Sequence, residues 1–346
     1  MSKLETTISG KRLDPFFGNA AADYTRIING RDEVEDYRLF SELNKQGLLG
    51  FITTKTLTTE PREGNPHPRF AWTENAESWD KLYNEVRIKA VQGLQSMGLP
   101  NIGVYNYPFA KCDAPTIVSY VGKSVEETKT MTQYVSEQSN KNQNIFAVEY
   151  NVACPNVAGC PSCYKEDSLE HLKTVRENTR LPVFAKIGYF PEEERLIEFG
   201  KKLEDMGING VTAINSPPGM GIDAYSRKTL TQKKYAGVFG RGVKPLALRT
   251  VNILHENTGL DIIGLGGIYS FEGMIEYLLA GATAVEICSK FTSEANASDL
   301  DLQYAVYRIV DKCWAPFLRE FKNDTENYME KNGMESLEEI VGKLKA

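Results

Sequence analysis

Cys154 stands in the segment Asn151-Val152-Ala153-Cys154-Pro155-Asn156, a thiol bracketed by two amides. An unperturbed thiol has a pKa of about 8.5, so a nearby cation or dipole brings it within range of general-base work at neutral pH. Further along the chain come Lys55, Lys186, Asn215 with Ser216, Gly266-Gly267 and Cys288-Ser289. Lysines neutralise negative charge that develops in a reaction, and amides hydrogen-bond a polar ring. A glycine pair lets backbone N–H groups approach a phosphate closely. Taken singly each has a bland reading. A lone Lys is most often a surface or ion-paired residue, a lone Asn caps a helix, and a lone Cys is an inert buried hydrophobe. What lifts the functional reading is that all of them fall at the same point of successive structural units.

Those units are short apolar or β-branched runs alternating with longer amphipathic stretches. Strands are predicted over residues 50–56, 115–122, 145–153, 181–187, 210–216, 260–268 and 284–290. Helices are predicted over 124–139, 169–178, 191–206, 244–256 and 270–279, with a long one from 299. Ser124 before Glu126 and Glu127 reads as a cap followed by acids that suit the positive end of the dipole. Pro245 suits a first helical turn. Runs such as Pro182-Val183-Phe184-Ala185-Lys186-Ile187 are apolar on both faces, as parallel strands under helices must be. Repeats of about 30 residues imply right-handed βαβ units. An eighth strand is expected within 101–107 or near Phe16, which closes a (β/α)8 TIM barrel over residues 1–346; an open doubly wound sheet is the alternative. Residues 56–100 and 217–243 are too long for plain connectors. They follow strand C-termini, where barrels carry their binding loops, and are expected to form long rim loops.

In this frame the lysines, the amides, the thiol and the glycine pair all lie at strand C-termini and face one mouth. Gly266-Gly267 and Cys288-Ser289, on adjacent units, form a candidate phosphate cradle at the recurrent barrel position; a tight turn is the plainer alternative. No Gly-x-Gly-x-x-Gly follows an early strand, so a dinucleotide fingerprint is absent.

The 346 residues carry 40 Lys and Arg against 46 Asp and Glu, a net charge of −6, without a basic run that could track nucleic acid. No run of about 20 apolar residues spans a bilayer, and the first residues lack a signal-peptide core, so a cytoplasmic protein is expected. Six cysteines are then expected to be reduced. Mixed charges over 320–345 read as a solvated helix face.

The same residues resemble class 1 dihydroorotate dehydrogenases, the 1A type most closely. The likeness runs through Thr54-Lys55-Thr56, Pro61 to Arg69, Ser96-Met97-Gly98-Leu99-Pro100-Asn101, Glu149 to Asn156, Asn215-Ser216, Gly266-Gly267 and the closing Gly342-Lys343-Leu344-Lys345. It implies an FMN at the barrel mouth, held by Ala20, Lys55, Asn151, Lys186, Ser216, Gly242, Gly266, Gly267, Cys288 and Ser289. It implies dihydroorotate held by Lys55, Gln95, Asn151, Asn156, Asn215 and Ser216, with its carboxylate on the N–H groups of Met97, Gly98 and Leu99. Cys154 would take the C5 proton while hydride leaves C6 for the flavin. Fumarate or a similar small acceptor would reoxidise the cofactor, and the chain would act as a homodimer.

The sequence also departs from that pattern. Gln95 stands where the family has Asn, and its extra methylene bears on the substrate. Ala20-Ala21-Ala22 replaces Ala-Ser-Gly. Cys288-Ser289 replaces Gly-Thr and is similar to dihydropyrimidine dehydrogenases, as are Phe184-Ala185-Lys186 and Gly210-Val211-Thr212-Ala213. Another dihydropyrimidine or a cyclic enone is therefore the alternative substrate, and a flavin-binding scaffold the non-enzymatic reading. Cys160-Pro161-Ser162-Cys163 in the expected lid is one Cys-x-x-Cys pair, open to metal binding, redox regulation or a plain lid variant. Without further ligands nearby, no metal site is expected.

Overall fold

The structure is a computed structural model that describes residues 3–22, 24, 33–72, 92–153, 163, 165, 167–294 and 309–345. Its strands in chain order are β1 (Thr6–Ile8), β2 (Lys11–Leu13), β3 (Phe17–Asn19), β4 (Phe51–Thr53), β5 (Phe70–Trp72), β6 (Gln92–Gln95), β7 (Thr116–Tyr120) and β8 (Ile145–Asn151). Then follow β9 (Val183–Ile187), β10 (Gly210–Ala213), β11 (Pro218–Gly219), β12 (Ile222–Asp223), β13 (Lys228–Thr229), β14 (Ala236–Gly240), β15 (Asp261–Leu265) and β16 (Ala284–Ile287). Eight of them, β3, β4, β7, β8, β9, β10, β15 and β16, close into a parallel barrel in that order. The closed barrel is thus the architecture, not the open sheet. Its missing eighth strand is β3, next to Phe16; residues 101–107 instead hold a 3-10 turn, Val104–Asn106.

Apolar strand residues are buried on both faces, as with β7, β8 and β9, where every residue is enclosed. Burial from both sides is what a strand between a packed barrel interior and a helical shell requires. The helices fall close to their predicted places. Val125–Lys141 starts on Ser124, whose Oγ accepts the Glu127 N–H at 3.1 Å. Lys244–Asn257 opens with a proline in its first turn. Helix Glu33–Lys45 carries no signal that the sequence reading caught. The expected long helix from 299 is described from a π-helical turn at Ile309–Trp314, which continues as Ala315–Lys331. That last helix stops at Lys331 and buries Phe321 and Met329, so 320–345 is more than a solvated face.

The N-terminal hairpin β1–β2 plugs the bottom of the barrel. Ile8 and Leu13 join Phe51, Ile117, Phe146, Phe184, Ile263 and Ala284 in a cluster of its own. Ser9 pins the turn, its N–H and hydroxyl both donating to Asp261 Oδ2 at 2.6 and 2.7 Å.

The rim segments depart from expectation. In place of loops they supply a four-stranded antiparallel sheet, ordered β11-β14-β6-β5, and the small hairpin β12–β13. Phe70 of β5 and Phe239 of β14 stack at 4.6 Å between centroids across that sheet. Apolar rings and a ladder of backbone hydrogen bonds make the rim a wall that a bare loop cannot form. Among the described residues no helix is long and apolar enough to cross a membrane.

Candidate active site

One cavity of about 1130 Å³, counting its open mouth, lies over the C-terminal ends of the barrel strands. Its floor and sides take in Lys55 beyond β4, Asn151 at the end of β8, Lys186 in β9 and Asn215-Ser216 beyond β10. Gly266-Gly267 after β15, Cys288-Ser289 after β16 and Ala20 after β3 complete the ring. The rim sheet closes one side with Phe70, Gln95, Val238 and Phe239, and the loop after β6 adds Met97, Gly98 and Leu99. Gly242 sits in the 3-10 turn Arg241–Val243 and is not among the lining residues, although Gly240 and Val243 are. Cys154 and Asn156 lie outside the described residues, as does Cys160.

The amides are held by one another. Asn151 Nδ2 donates to Thr56 Oγ1 at 3.2 Å, and Asn151 Oδ1 accepts the Ala153 N–H at 3.1 Å. Asn215 Nδ2 donates to the Ala153 carbonyl at 3.1 Å, and Asn215 Oδ1 accepts the Ser216 N–H at 2.8 Å. This network fixes the last described residue before Cys154. Beyond the gap, Cys163 is buried: its N–H donates to Val152 O at 2.6 Å and its thiol accepts the Gly188 N–H at 3.4 Å. Both ends of the Cys154 segment are therefore tied to the same strand end. Cys163 acts as an anchor there, and among the described residues no cluster of metal-ligating side chains occurs.

The loop after β6 is braced from below. Asn65 donates through Nδ2 to Ser96 O at 2.8 Å and through its N–H to Met97 O at 2.9 Å; Arg62 Nε donates to Gly98 O at 3.2 Å. Gly98 has φ 75°, and a Cβ there would fall 2.5 Å from Asn65 Cγ, so the close approach demands glycine. Gln95 folds back on the same loop, its Oε1 accepting the Met97 N–H at 3.2 Å. The longer side chain finds room over Gly237, where a Cβ would come within 2.7 Å of Gln95 Nε2. One of the three N–H groups expected to hold a carboxylate is thus engaged within the protein.

Two buried carboxylates without an expected site role face Lys186: Glu286, which lines the cavity, and Glu149, which does not. Lys186 Nζ lies 3.5 Å from Glu149 Oε1 and 3.9 Å from Glu286 Oε2. Ser119 Oγ donates to Glu149 Oε1, and Thr53 Oγ1 to Glu286 Oε1, both at 2.7 Å. Burial pulls the Lys186 ammonium downward, but the facing carboxylates more than offset it and its pKa ends above the ordinary lysine range. Burial first, then the Glu149 charge, push Glu286 up to about 8, against the opposing pull of Lys186. Burial likewise raises the Cys288 thiol, with Lys186 pulling the other way. The signal was available in sequence, since a Glu within Ala284-Val285-Glu286-Ile287 or Phe146-Ala147-Val148-Glu149 is a charge in a run otherwise destined for burial.

A family model described as dihydroorotate dehydrogenase matches residues 27–299 of the 346. The chain belongs to the dihydroorotate dehydrogenase family. Among its relatives is the dihydroorotate dehydrogenase B (NAD(+)) catalytic subunit of Geobacillus sp. (strain WCH70), 34% identical over 73% of this chain and 75% of that one. The protein of the same name from Desulforamulus reducens is 30% identical over 89% of this chain and 90% of its own length. A crystal structure of the dihydroorotate dehydrogenase of Eimeria tenella in complex with ferulenol superposes with a TM-score of 0.67 at 15% identity, covering 98% of this chain and 88% of that one. That likeness is one of fold.

As a member of this family the chain is an FMN-dependent oxidoreductase, and the residues around its cavity fit the cofactor. The wall combines apolar side chains with a few convergent polar groups, the make-up usual for a small-molecule site. The donor set is also apt: two lysines, convergent amides, and backbone freed of side chains at Gly266 and Gly267. The glycines are required for a second reason. With φ of 125° and 67°, both are in a region that side chains rarely adopt, and a Cβ on Gly267 would meet Lys244 Cβ and N at 2.9 Å. The turn is tight because its backbone packs directly on the start of helix Lys244–Asn257, the one that precedes β15.

Proposed function

We propose that the chain oxidises dihydroorotate to orotate at this cavity. The observation that supports the reading is the convergence of Lys55, Lys186, Asn151 and Asn215 on a single pocket at the barrel mouth, with Ala153, the residue before Cys154, held by both amides. FMN held here would supply the acceptor for a hydride from ring C6. Cys154 takes the C5 proton, in a step for which general-base catalysis contributes about 10²–10⁴-fold. Asn151, Asn156, Asn215 and Ser216 orient the ring, while Lys55 with the Gly98 and Leu99 backbone receives the carboxylate. Lys186, lining the cavity, would supply positive charge that favours a reduced flavin. Ala20, Gly266, Gly267, Cys288 and Ser289 would take the remaining cofactor contacts, whereas Gly242 packs against the Gln92 side chain outside the cavity lining.

Purified protein should be yellow and should bleach when dihydroorotate is added without acceptor. Cys154→Ala should retain FMN and bleach about 10²-fold or more slowly; bleaching at the parental rate would remove Cys154 from the base role. The hydrogen bond between Gln95 and Met97 N–H supports a second reading, a dihydropyrimidine without a carboxylate. Bleaching by dihydrouracil and not by dihydroorotate would select it. For the acceptor, the names of the relatives support NAD(+), reached with a further subunit, beside the fumarate implied by the 1A likeness. Turnover of the isolated chain with fumarate would support a self-sufficient homodimer; turnover only with NAD(+) and an added subunit would support the other arrangement.

A further inference from the structure

Beneath the cavity two buried carboxylates face one buried ammonium, and the reaction outlined above uses only the ammonium. Glu149 and Glu286 are fully enclosed and Lys186 is 3% exposed, so water does little to screen them. Each carboxylate has one oxygen held by a hydroxyl, from Ser119 or Thr53. The Oε2 of each has no hydrogen-bond partner among the described residues. With all three groups ionised the layer carries one uncompensated negative charge in a dry setting, and a proton on one carboxylate relieves it. Glu149 lies nearer the ammonium, at 3.5 Å against 3.9 Å, which leaves the proton to Glu286. Glu286 also lines the cavity itself. Glu286 itself raises two nearby groups, Tyr24 from the segment after β3 and Cys288 at the end of its own strand. Lys55 beyond β4 acts on Cys288 in turn.

We propose that Glu286 is a positioning residue for the flavin reaction, whose carboxyl, facing the Lys186 ammonium beside Glu149, sets how much of the Lys186 charge is available to the cofactor. The proposal rests on the reading that FMN lies against Lys186. When Glu286 is neutral, Lys186 and Glu149 balance and the ammonium is free to attract incoming electrons. When Glu286 ionises, the floor gains a negative charge that opposes reduction. Reduction and protonation of Glu286 then favour each other, since linkage between two sites is reciprocal.

The test is the reduction potential of FMN in the holoprotein, followed spectroscopically from about pH 6 to about pH 10 so as to bracket the titration. The parent should show an additional fall in potential centred at about 8, where Glu286 ionises. Glu286→Gln should match the parent below that point and lie more positive above it. Glu149→Gln, which removes the charge that helps hold the proton on Glu286, should move the fall to lower pH. Superimposable profiles for parent and Glu286→Gln would overturn the proposal. Should Glu286→Gln fail to fold, an unmoved fall in Glu149→Gln would overturn it equally. The double variant Lys186→Met, Glu149→Gln keeps the net charge and tests the underlying reading. A potential unchanged there would mean that FMN does not lie against Lys186. A lowered one, with no effect from Glu286→Gln, would sink the role of Glu286 alone.

Discussion

A buried acid leaves a mark on stability as well as on redox chemistry. The carboxyl of Glu286 is raised from its ordinary 4.5 to about 8 in the folded chain. The folded state therefore holds its proton where the unfolded state has lost it. The stabilising contribution is complete below about 4.5, declines as pH rises, and is gone above about 8. Glu286→Gln should flatten that decline, so that the apoprotein variant gains on the parent in denaturation midpoint as pH is raised from about 5 to about 9. A constant difference across the range would show that the substitution acts only through packing. At this scale the sequence was informative about Lys55, Lys186, Asn151, Asn215 and Ser216, because polar residues at strand ends stand out against apolar runs. It offered Glu286 only as an odd charge in a run destined for burial and not its role, because its partners Thr53, Lys186 and Glu149 come from three other strands and become neighbours only once the barrel closes.

Elements differ in how far their own residues determine them. Strands β7 to β9 are legible because burial on both faces selects continuous apolar runs. Strand β3 has three residues, too few for a period, and its place follows from pairing with β16 and β4. The rim sheet was illegible for a related reason. Its central pair joins Gln95 of β6 to Gly237 of β14, far apart in the chain, and glycines in both strands carry no propensity signal. The β1–β2 hairpin gives an element-scale prediction. Ile8 is fully enclosed in the plug at the end of the barrel away from the cavity. Ile8→Ala should cost about 2–5 kcal/mol, read as a lowered urea midpoint, while FMN content at low denaturant stays at the parental level. Loss of FMN in step with the first loss of stability would show that the plug and the mouth are not separable.

At the scale of the whole molecule, the cavity gathers residues from almost every part of the barrel: Ala20 after the first strand, Lys55, Asn151, Lys186 and Asn215 from the middle, and Gly266 and Cys288 from the last two units. A ligand held by so many strand ends contacts a site that exists only when the barrel is closed, and the unfolded chain offers no equivalent. FMN should consequently stabilise the entire fold by mass action, by about 2.7 kcal/mol at a free concentration one hundred times its dissociation constant. The same dependence should appear in far-ultraviolet dichroism, which follows the helices, and in aromatic signals, which follow core clusters such as Tyr24, Phe40, Phe291 and Trp314. Tyr24 reaches the cavity wall from that cluster, its hydroxyl donating to Ala20 O at 2.8 Å and to Ile287 O, the residue before Cys288, at 3.2 Å, so the wall is continuous with the aromatic core. A melting temperature that rises with FMN by one probe and not the other would mean that the barrel opens in parts, with the cofactor bracing only the strands nearest to it. Coincident shifts would mean that the fold and the flavin site form one cooperative unit, as expected where the chemistry is assembled by barrel closure itself.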